Sequence, residues 1–313
     1  MNPVTFHSSL ASQMADFVTF KRMQGYKYIT GAKCLGCFDA FLVAEDYRLQ
    51  VLTPQIVERY IAASSHVKPQ TRLGRLTPVR GFALYLNVLE PESCVLREYP
   101  FDAPRVIRFY LYSPADIAAL LEAIARPGLT RTMPPECLYF LVGLLYTTGL
   151  RISEALCLTM ADVQLHTPSL FVRKGKFGKD RYVVLHSTTA ERLSRWLHTR
   201  CEYASEAASA PLLVNIRGQP LLDCNVRRAF QRCVRACGIG EDAAAAPRLH
   251  DLRHTYACNC LMRWRRQRLD VNAMLPILST ALGHVSIHDT QIYLHIIPAD
   301  LHEAAATFRY ACH

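Results

Sequence analysis

Arg151 stands in Gly149-Leu150-Arg151-Ile152-Ser153-Glu154, and Arg253 in Leu249-His250-Asp251-Leu252-Arg253-His254-Thr255. His284 follows in Leu282-Gly283-His284, and Tyr293 in Gln291-Ile292-Tyr293. A guanidinium presents paired N–H donors at the spacing of two phosphate oxygens, so two of them can hold one phosphate. A tyrosine oxygen can attack phosphorus held in that way and form a covalent ester. Each piece has a bland reading. Arg151 alone is a surface arginine after a helix stop. H-x-x-R recurs by chance in a chain with 12 His. A lone Tyr or His is usually core with its polar atom satisfied. The ordered set points further, to the breaking and rejoining of a nucleic-acid strand.

A possible acid lies between the two arginine segments. Residues 169–173 and 181–185 have strand composition, and the stretch Lys174-Gly175-Lys176-Phe177-Gly178-Lys179-Asp180 between them has two glycines for a turn. This predicts a β-hairpin with a cationic tip. Five Lys/Arg stand against one Asp over residues 173–181. A lysine on such a loop can protonate a leaving oxygen once cationic neighbours draw its pKa down. Lys174, Lys176 and Lys179 all qualify by position, because sequence does not set the hairpin register.

These residues need a scaffold, and the composition supplies one. The chain has 313 residues, half of them hydrophobic, enough for two domains with real cores. The boundaries read as an N-terminal domain over 1–98, a linker over 99–112 within the proline-punctuated stretch 92–112, and a second domain over 113–313. The first domain reads as helical. Periodic apolar residues mark helices over 7–24 and 29–44, Thr53-Pro54 opens a third, and a fourth spans about 69–88 with Pro78 inside, as a kink or as two shorter helices. In the second domain Ser113-Pro114-Ala115-Asp116 reads as a capping start. Residues 135–148 read as a buried helix stopped by Gly149, and 187–200 and 223–237 as amphipathic helices. His250 and Arg253 are assigned to one helix and one face. Asp270 caps a helix over 270–281, His284 sits just past its glycine stop, residues 286–294 form a short helix bearing Tyr293, and 299–310 form a terminal helix.

A net charge of +10 and a pI of about 9.1 favour a polyanionic partner, although a basic enzyme without a nucleic-acid role has the same balance. Lys68, Arg72, Arg75 and Arg80, and again Arg263, Arg265, Arg266 and Arg268, read either as solvated faces or as phosphate contacts. The 12 Cys read as free thiols, and Cys34-Leu35-Gly36-Cys37 lacks the second pair of a zinc site. No apolar run reaches a membrane span and no secretory signal is visible, so the expected compartment is the cytoplasm and no membrane is expected as a partner.

Over about 135–296 the motifs resemble the tyrosine recombinase family, the phage-integrase type. Thr148-Gly149-Leu150-Arg151-Ile152-Ser153-Glu154 is similar to its first arginine box, His250-Asp251-Leu252-Arg253-His254-Thr255 to its H-x-x-R box, Leu282-Gly283-His284 with Tyr293 to its last box, and Lys176-Phe177-Gly178-Lys179-Asp180-Arg181 to its lysine hairpin. The resemblance implies a mainly α protein with a small β-hairpin or sheet. It also implies an N-terminal helical core-binding (SAM-like) domain before a catalytic domain of the DNA breaking-rejoining fold. It implies that Arg151 and Arg253 clamp the scissile phosphate, that Tyr293 attacks to leave a 3′-phosphotyrosine and a free 5′-hydroxyl, and that Lys176 is the general acid. His250 would assist proton transfer at the nucleophile, His284 would donate to the phosphate, and Glu154 would support the arginine site. No metal, ATP or other cofactor is implied; double-stranded DNA is the expected partner, with a homo- or hetero-tetramer over two sites. Integration or transposition of a mobile element is the expected role. A Xer-type chromosome-resolving enzyme, a DNA-binding partner without catalysis and a type IB topoisomerase-like relaxing enzyme are the alternatives.

Overall fold

The computed structural model describes residues 4–96, 109–126, 128–173, 180–243, 245–284 and 286–295. The chain divides into two compact units, Met1–Ile107 and Arg108–His313.

The first unit is helical: α1 (Ala11–Met23), α2 (Ile29–Ala44), α3 (Pro54–Ala63) and α4 (Pro69–Leu89). Apolar residues three and four apart face one core of Leu10, Met14, Phe17, Leu35, Phe38, Leu42, Ile56, Tyr60, Val79, Phe82 and Leu86. Two sequence expectations are modified here. α1 begins at Ala11 rather than near residue 7, because the backbone N–H groups of His7 and Ser8 donate to the buried Asp39 carboxylate at 2.8 and 2.9 Å instead of entering a helix. α4 runs through Pro78 as one helix. Pro78 cannot donate to the Gly74 carbonyl, and that carbonyl faces the Cys34 thiol at 3.9 Å.

The second unit opens with α5 (Pro114–Ala125), capped as expected: Ser113 and Asp116 exchange side-chain-to-backbone hydrogen bonds of 2.8 and 3.1 Å. α6 (Pro135–Thr148) is apolar on all sides and forms the centre of the unit, packed against α5, α8 (Ser187–Arg200) and α10 (Asp251–Arg266). α7 (Ile152–Leu156) follows after Gly149. An antiparallel sheet in the order β1 (Val163–Gln164), β2 (Ser169–Val172), β3 (Arg181–Val184) pairs Val172 with Arg181. β1 was not anticipated, since two residues are too few to show an alternation. α9 (Asp223–Ala236), α11 (Val271–Leu282) and the single turn α12 (His288–Gln291) with the 3₁₀ turn Ile292–His295 complete the described part. Most of the unit shares one core; a smaller one gathers Ala257, Cys258, Leu261, Leu275, Leu278, Leu282 and Tyr293. Among the described residues no helix is long and apolar enough to cross a membrane. Lys174, Lys176, Lys179, most of the linker and the terminal helix over 299–310 lie outside the described residues.

Candidate active site

Two glycines build the frame of the site. Gly149 ends α6 at φ +65° and Gly283 ends α11 at φ +65°, the left-handed conformation that a side chain disfavours. Close approach restricts both further. A Cβ on Gly149 would lie 2.4 Å from the Tyr256 ring and 2.9 Å from Leu282, and one on Gly283 would lie 2.7 Å from the Arg181 guanidinium. The two helix stops thus carry Arg151 and His284 out of their helices while packing tightly against neighbouring elements.

The C-terminal end of α11 holds three arginines. Arg181 Nε donates to the Ala281 carbonyl at 3.2 Å, Arg253 Nη2 to Leu282 at 2.8 Å, and Arg151 Nη2 to Gly283 at 3.0 Å. These are the carbonyls that a helix end leaves unpaired, at the negative pole of its dipole, so cations belong there. Arg253 Nη1 also donates to the Gly149 carbonyl at 2.7 Å, which joins the two glycine stops. Arg253 is 2% exposed, and burial first, then the Arg151 charge, lowers its pKa to about 10; it stays a cation at neutral pH. Arg151 is less covered. A guanidinium has five N–H groups; Arg151 and Arg253 each bond through both Nη atoms, to Glu154 and Gly283 and to Gly149 and Leu282 respectively.

Glu154 organises the cations. One of its carboxylate oxygens accepts from Arg151 Nη1 at 2.9 Å and Arg181 Nη1 at 3.2 Å. The other accepts from the Arg151 backbone N–H at 3.0 Å and Arg181 Nη2 at 2.9 Å. Burial raises the carboxyl pKa, but these donors outweigh it and hold the group below its ordinary value. Glu154 thus accepts from Arg151 and Arg181 together.

The tyrosine lies beside this frame. The ring of Tyr293 is 2% exposed, and its hydroxyl is 2.9 Å from His254 Nδ1. His254 is stacked on Phe109, with ring centroids 4.5 Å apart and planes at 18°, and lies edge-on to His250 at 4.9 Å. Burial raises the Tyr293 phenol to about 12 despite the nearby Arg253 and Arg151 cations. Burial and the surrounding cationic or protonatable groups, His250 foremost, lower His254 to about 3, so it is neutral. The phenol is held protonated and the imidazole neutral, so both shifts oppose proton transfer from the phenol to His254. In this arrangement His254 holds the phenol and does not deprotonate it. Neither His254 nor Phe109 was singled out from sequence. His254 stood next to Arg253 with no visible partner, and no sequence signal links it to Phe109 or Tyr293.

His250 immediately precedes α10 rather than lying within it, because the Arg248 backbone N–H donates to the Asp251 carboxylate at 2.8 Å and starts the helix there. It keeps an exposed side; partial burial and the Arg253 charge lower its pKa, so it is neutral at pH 7. His284 Nδ1 is 2.8 Å from the Thr290 hydroxyl. The structure therefore brings Arg151, Arg253, His250, His284 and Tyr293 into one region of the second unit, adds Arg181 and His254, and leaves Lys176 outside the described residues.

The Phage integrase family matches residues 113–299. A putative integrase/recombinase of Sinorhizobium fredii, y4rB, is 35% identical over 304 residues, covering 95% of this chain and 96% of the relative. The tyrosine recombinase XerC of Thermodesulfovibrio yellowstonii is 32% identical over 160 residues, 50% of this chain and 49% of that protein. The fold is shared with a XerH site-specific recombinase bound to palindromic difH substrate (TM-score 0.65, 21% identity, 90% of this chain and 79% of that one). It is shared also with the Tn1549 transposon integrase in complex with transposon right end DNA (TM-score 0.63, 16% identity, 96% and 100%). With the match spanning more than half of its length and a relative aligned nearly end to end, the chain belongs to the phage integrase family, the tyrosine recombinases.

Proposed function

We propose that this site-specific recombinase cleaves and rejoins double-stranded DNA with Arg151, Arg253 and Tyr293 as its central residues. The observation that carries the assignment is the pair of guanidiniums anchored on the end of α11, close enough to Tyr293 to act on its phenol. Both forks bind the scissile phosphate and offset charge on the pentavalent transition state. The Tyr293 oxygen forms a bond to phosphorus, the bond from phosphorus to the 5′ oxygen breaks, and the strand is left as a 3′-phosphotyrosine. His250, neutral and partly open, takes the phenol proton; His284 donates to the phosphate; Lys176 protonates the 5′ oxygen. Attack requires the hydroxyl to leave His254 and turn toward the phosphate, which moves the phenol from a buried neutral site to a cationic one where its ionisation is favoured.

Integration or transposition of a mobile element is the role we favour, because a relative 35% identical over 95% of this chain is named a putative integrase/recombinase, while XerC of Lacticaseibacillus casei, aligned over 86% of the chain, is 25% identical. On DNA, copies of the chain assemble as a tetramer over two sites, in the cytoplasm. The decisive experiment uses nicked suicide duplexes recovered from a randomised pool by covalent capture on the wild-type protein. Tyr293→Phe is expected to retain noncovalent binding and to give no denaturant-resistant adduct; an adduct in that variant overturns the assignment.

A further inference from the structure

Arg181 is the best-connected side chain of the frame, and the mechanism above gives it no task. All three of its guanidinium nitrogens are engaged: Nη1 and Nη2 form a two-pronged pair with Glu154 at 3.2 and 2.9 Å, and Nε reaches Ala281 at 3.2 Å. It is anchored at the first residue of β3, paired with Val172 across the sheet. Its partners lie 27 and 100 residues away along the chain, on α7 and at the end of α11. Gly283, just before His284, leaves no room for a Cβ because the Arg181 guanidinium occupies that space, 2.7 Å from where the atom would be.

We propose that Arg181 is a positioning residue for strand cleavage, acting by neutralising Glu154 so that Arg151 remains free to bind the phosphate. This rests on the assignment of Arg151 to the phosphate clamp. The reasoning is electrostatic. Glu154 is buried and must be paired to remain ionised. With Arg181 in place, the carboxylate has a full fork from Arg181 and needs only one Nη of Arg151. Three guanidiniums and one carboxylate then leave two net positive charges beside the nucleophile, matching the two negative charges that a phosphodiester carries after attack by a phenolate. Without Arg181 the balance of these groups falls to one, and among the described residues the carboxylate keeps Arg151 as its ion-pair partner. The protein would still bind DNA through the rest of its basic surface, but it would hold the transition state poorly.

The test measures single-turnover cleavage of the captured suicide duplex at saturating protein, with rates referred to the folded fraction from a thermal melt. R181M keeps most of the aliphatic bulk and loses the charge. It is expected to slow cleavage about 30-fold or more, short of the loss typical of a group that touches the developing charge, while Kd for uncleaved duplex changes less than about threefold. R181K should retain more rate than R181M. The discriminating variant is R181M combined with E154Q: removing the carboxylate releases Arg151 and should recover about tenfold or more of the rate per folded protein, a recovery that a contact serving stability alone would not produce. The double variant removes the buried carboxylate that R181M leaves without its fork, so it remains informative if R181M folds poorly. Cleavage by R181M at the wild-type rate, or a double variant no faster than R181M, overturns the proposal. Adduct loss in Tyr293→Phe on the same duplex tests the site assignment separately.

Discussion

The arginine frame and the tyrosine compartment lie side by side in the second unit and are held together by opposite means. The frame is saturated with charge. Arg151, Arg181 and Arg253 share one carboxylate and one helix end, and each bond has an ionised partner or a backbone carbonyl aligned with the helix dipole. The immediate packing around Tyr293 is apolar. It consists of a neutral imidazole, a phenylalanine stacked on it and apolar side chains from the middle of α10 and along α11. The same burial has opposite consequences in the two places. In the frame, paired charges stay ionised. In the compartment, a phenol and an imidazole bonded to each other are driven to their neutral forms, about 12 and about 3. On the proposed assignment, a phenol kept neutral beside a cluster of cations is stable at rest and becomes reactive where the cations can reach its oxygen.

Substitutions can separate the two regions. The largest effect is expected in the frame: Arg151→Ala should lower single-turnover cleavage by about 10²–10³, as for the loss of one preorganised donor to a transition state. It should change the melting temperature little, since this side chain is the less covered of the two clamp arginines. An unchanged cleavage rate would move the clamp elsewhere.

His254→Leu should act mainly on stability. It leaves the buried Tyr293 hydroxyl without its partner, at a cost of about 1–3 kcal/mol measured by denaturant melts at neutral pH. Its pH signature distinguishes it from a general packing loss. In the wild type His254 is lowered to about 3, below the ordinary value of about 6.5, so as pH falls below about 6.5 the unfolded chain takes up a proton that the folded chain does not, and stability declines. The variant should lose that part of the slope. A slope identical to wild type between pH 6.5 and 4 would contradict the neutral-imidazole compartment.

The smallest effect on cleavage is expected at Arg200. This side chain is also fully buried and bonded to backbone carbonyls, with Pro211 at 2.8 and 3.1 Å and Ser205 at 2.9 Å. These carbonyls are neutral, and through them it ties the end of α8 to the following loop. Arg200→Met should cost about 1–3 kcal/mol of stability and leave the cleavage rate of the folded protein within about twofold. A large rate loss at Arg200 would show that buried, carbonyl-bonded arginines are interchangeable here and that the frame has no special status.

Much of the scaffold was legible from local signals. The caps at Ser113 and Asp270, the proline start of α3, and the glycine stops at Gly149 and Gly283 are short-range events, and the structure has them where the sequence reading put them. Where that reading shifted, a distant group competed for the backbone: Asp39 took the N–H groups of His7 and Ser8, and α1 started late. β1 was invisible because its two residues are defined by pairing with β2 and not by their own pattern.

The sequence by itself determined the order of chemical types, with two arginine boxes, two histidines and a tyrosine each next to a helix end, because stop residues and boxes are contiguous in the chain. Only the tertiary structure decided which groups touch. Arg181 meets Glu154 and Ala281, Arg253 meets Gly149 and Leu282, and His254 rather than His250 bonds the Tyr293 hydroxyl. Most of these pairs are separated by about thirty to a hundred residues and are made by the packing of α6, α7, α10 and α11 together with β3. No local periodicity encodes such contacts, because they depend on where a helix ends in space and on the absence of a Cβ at the point of approach.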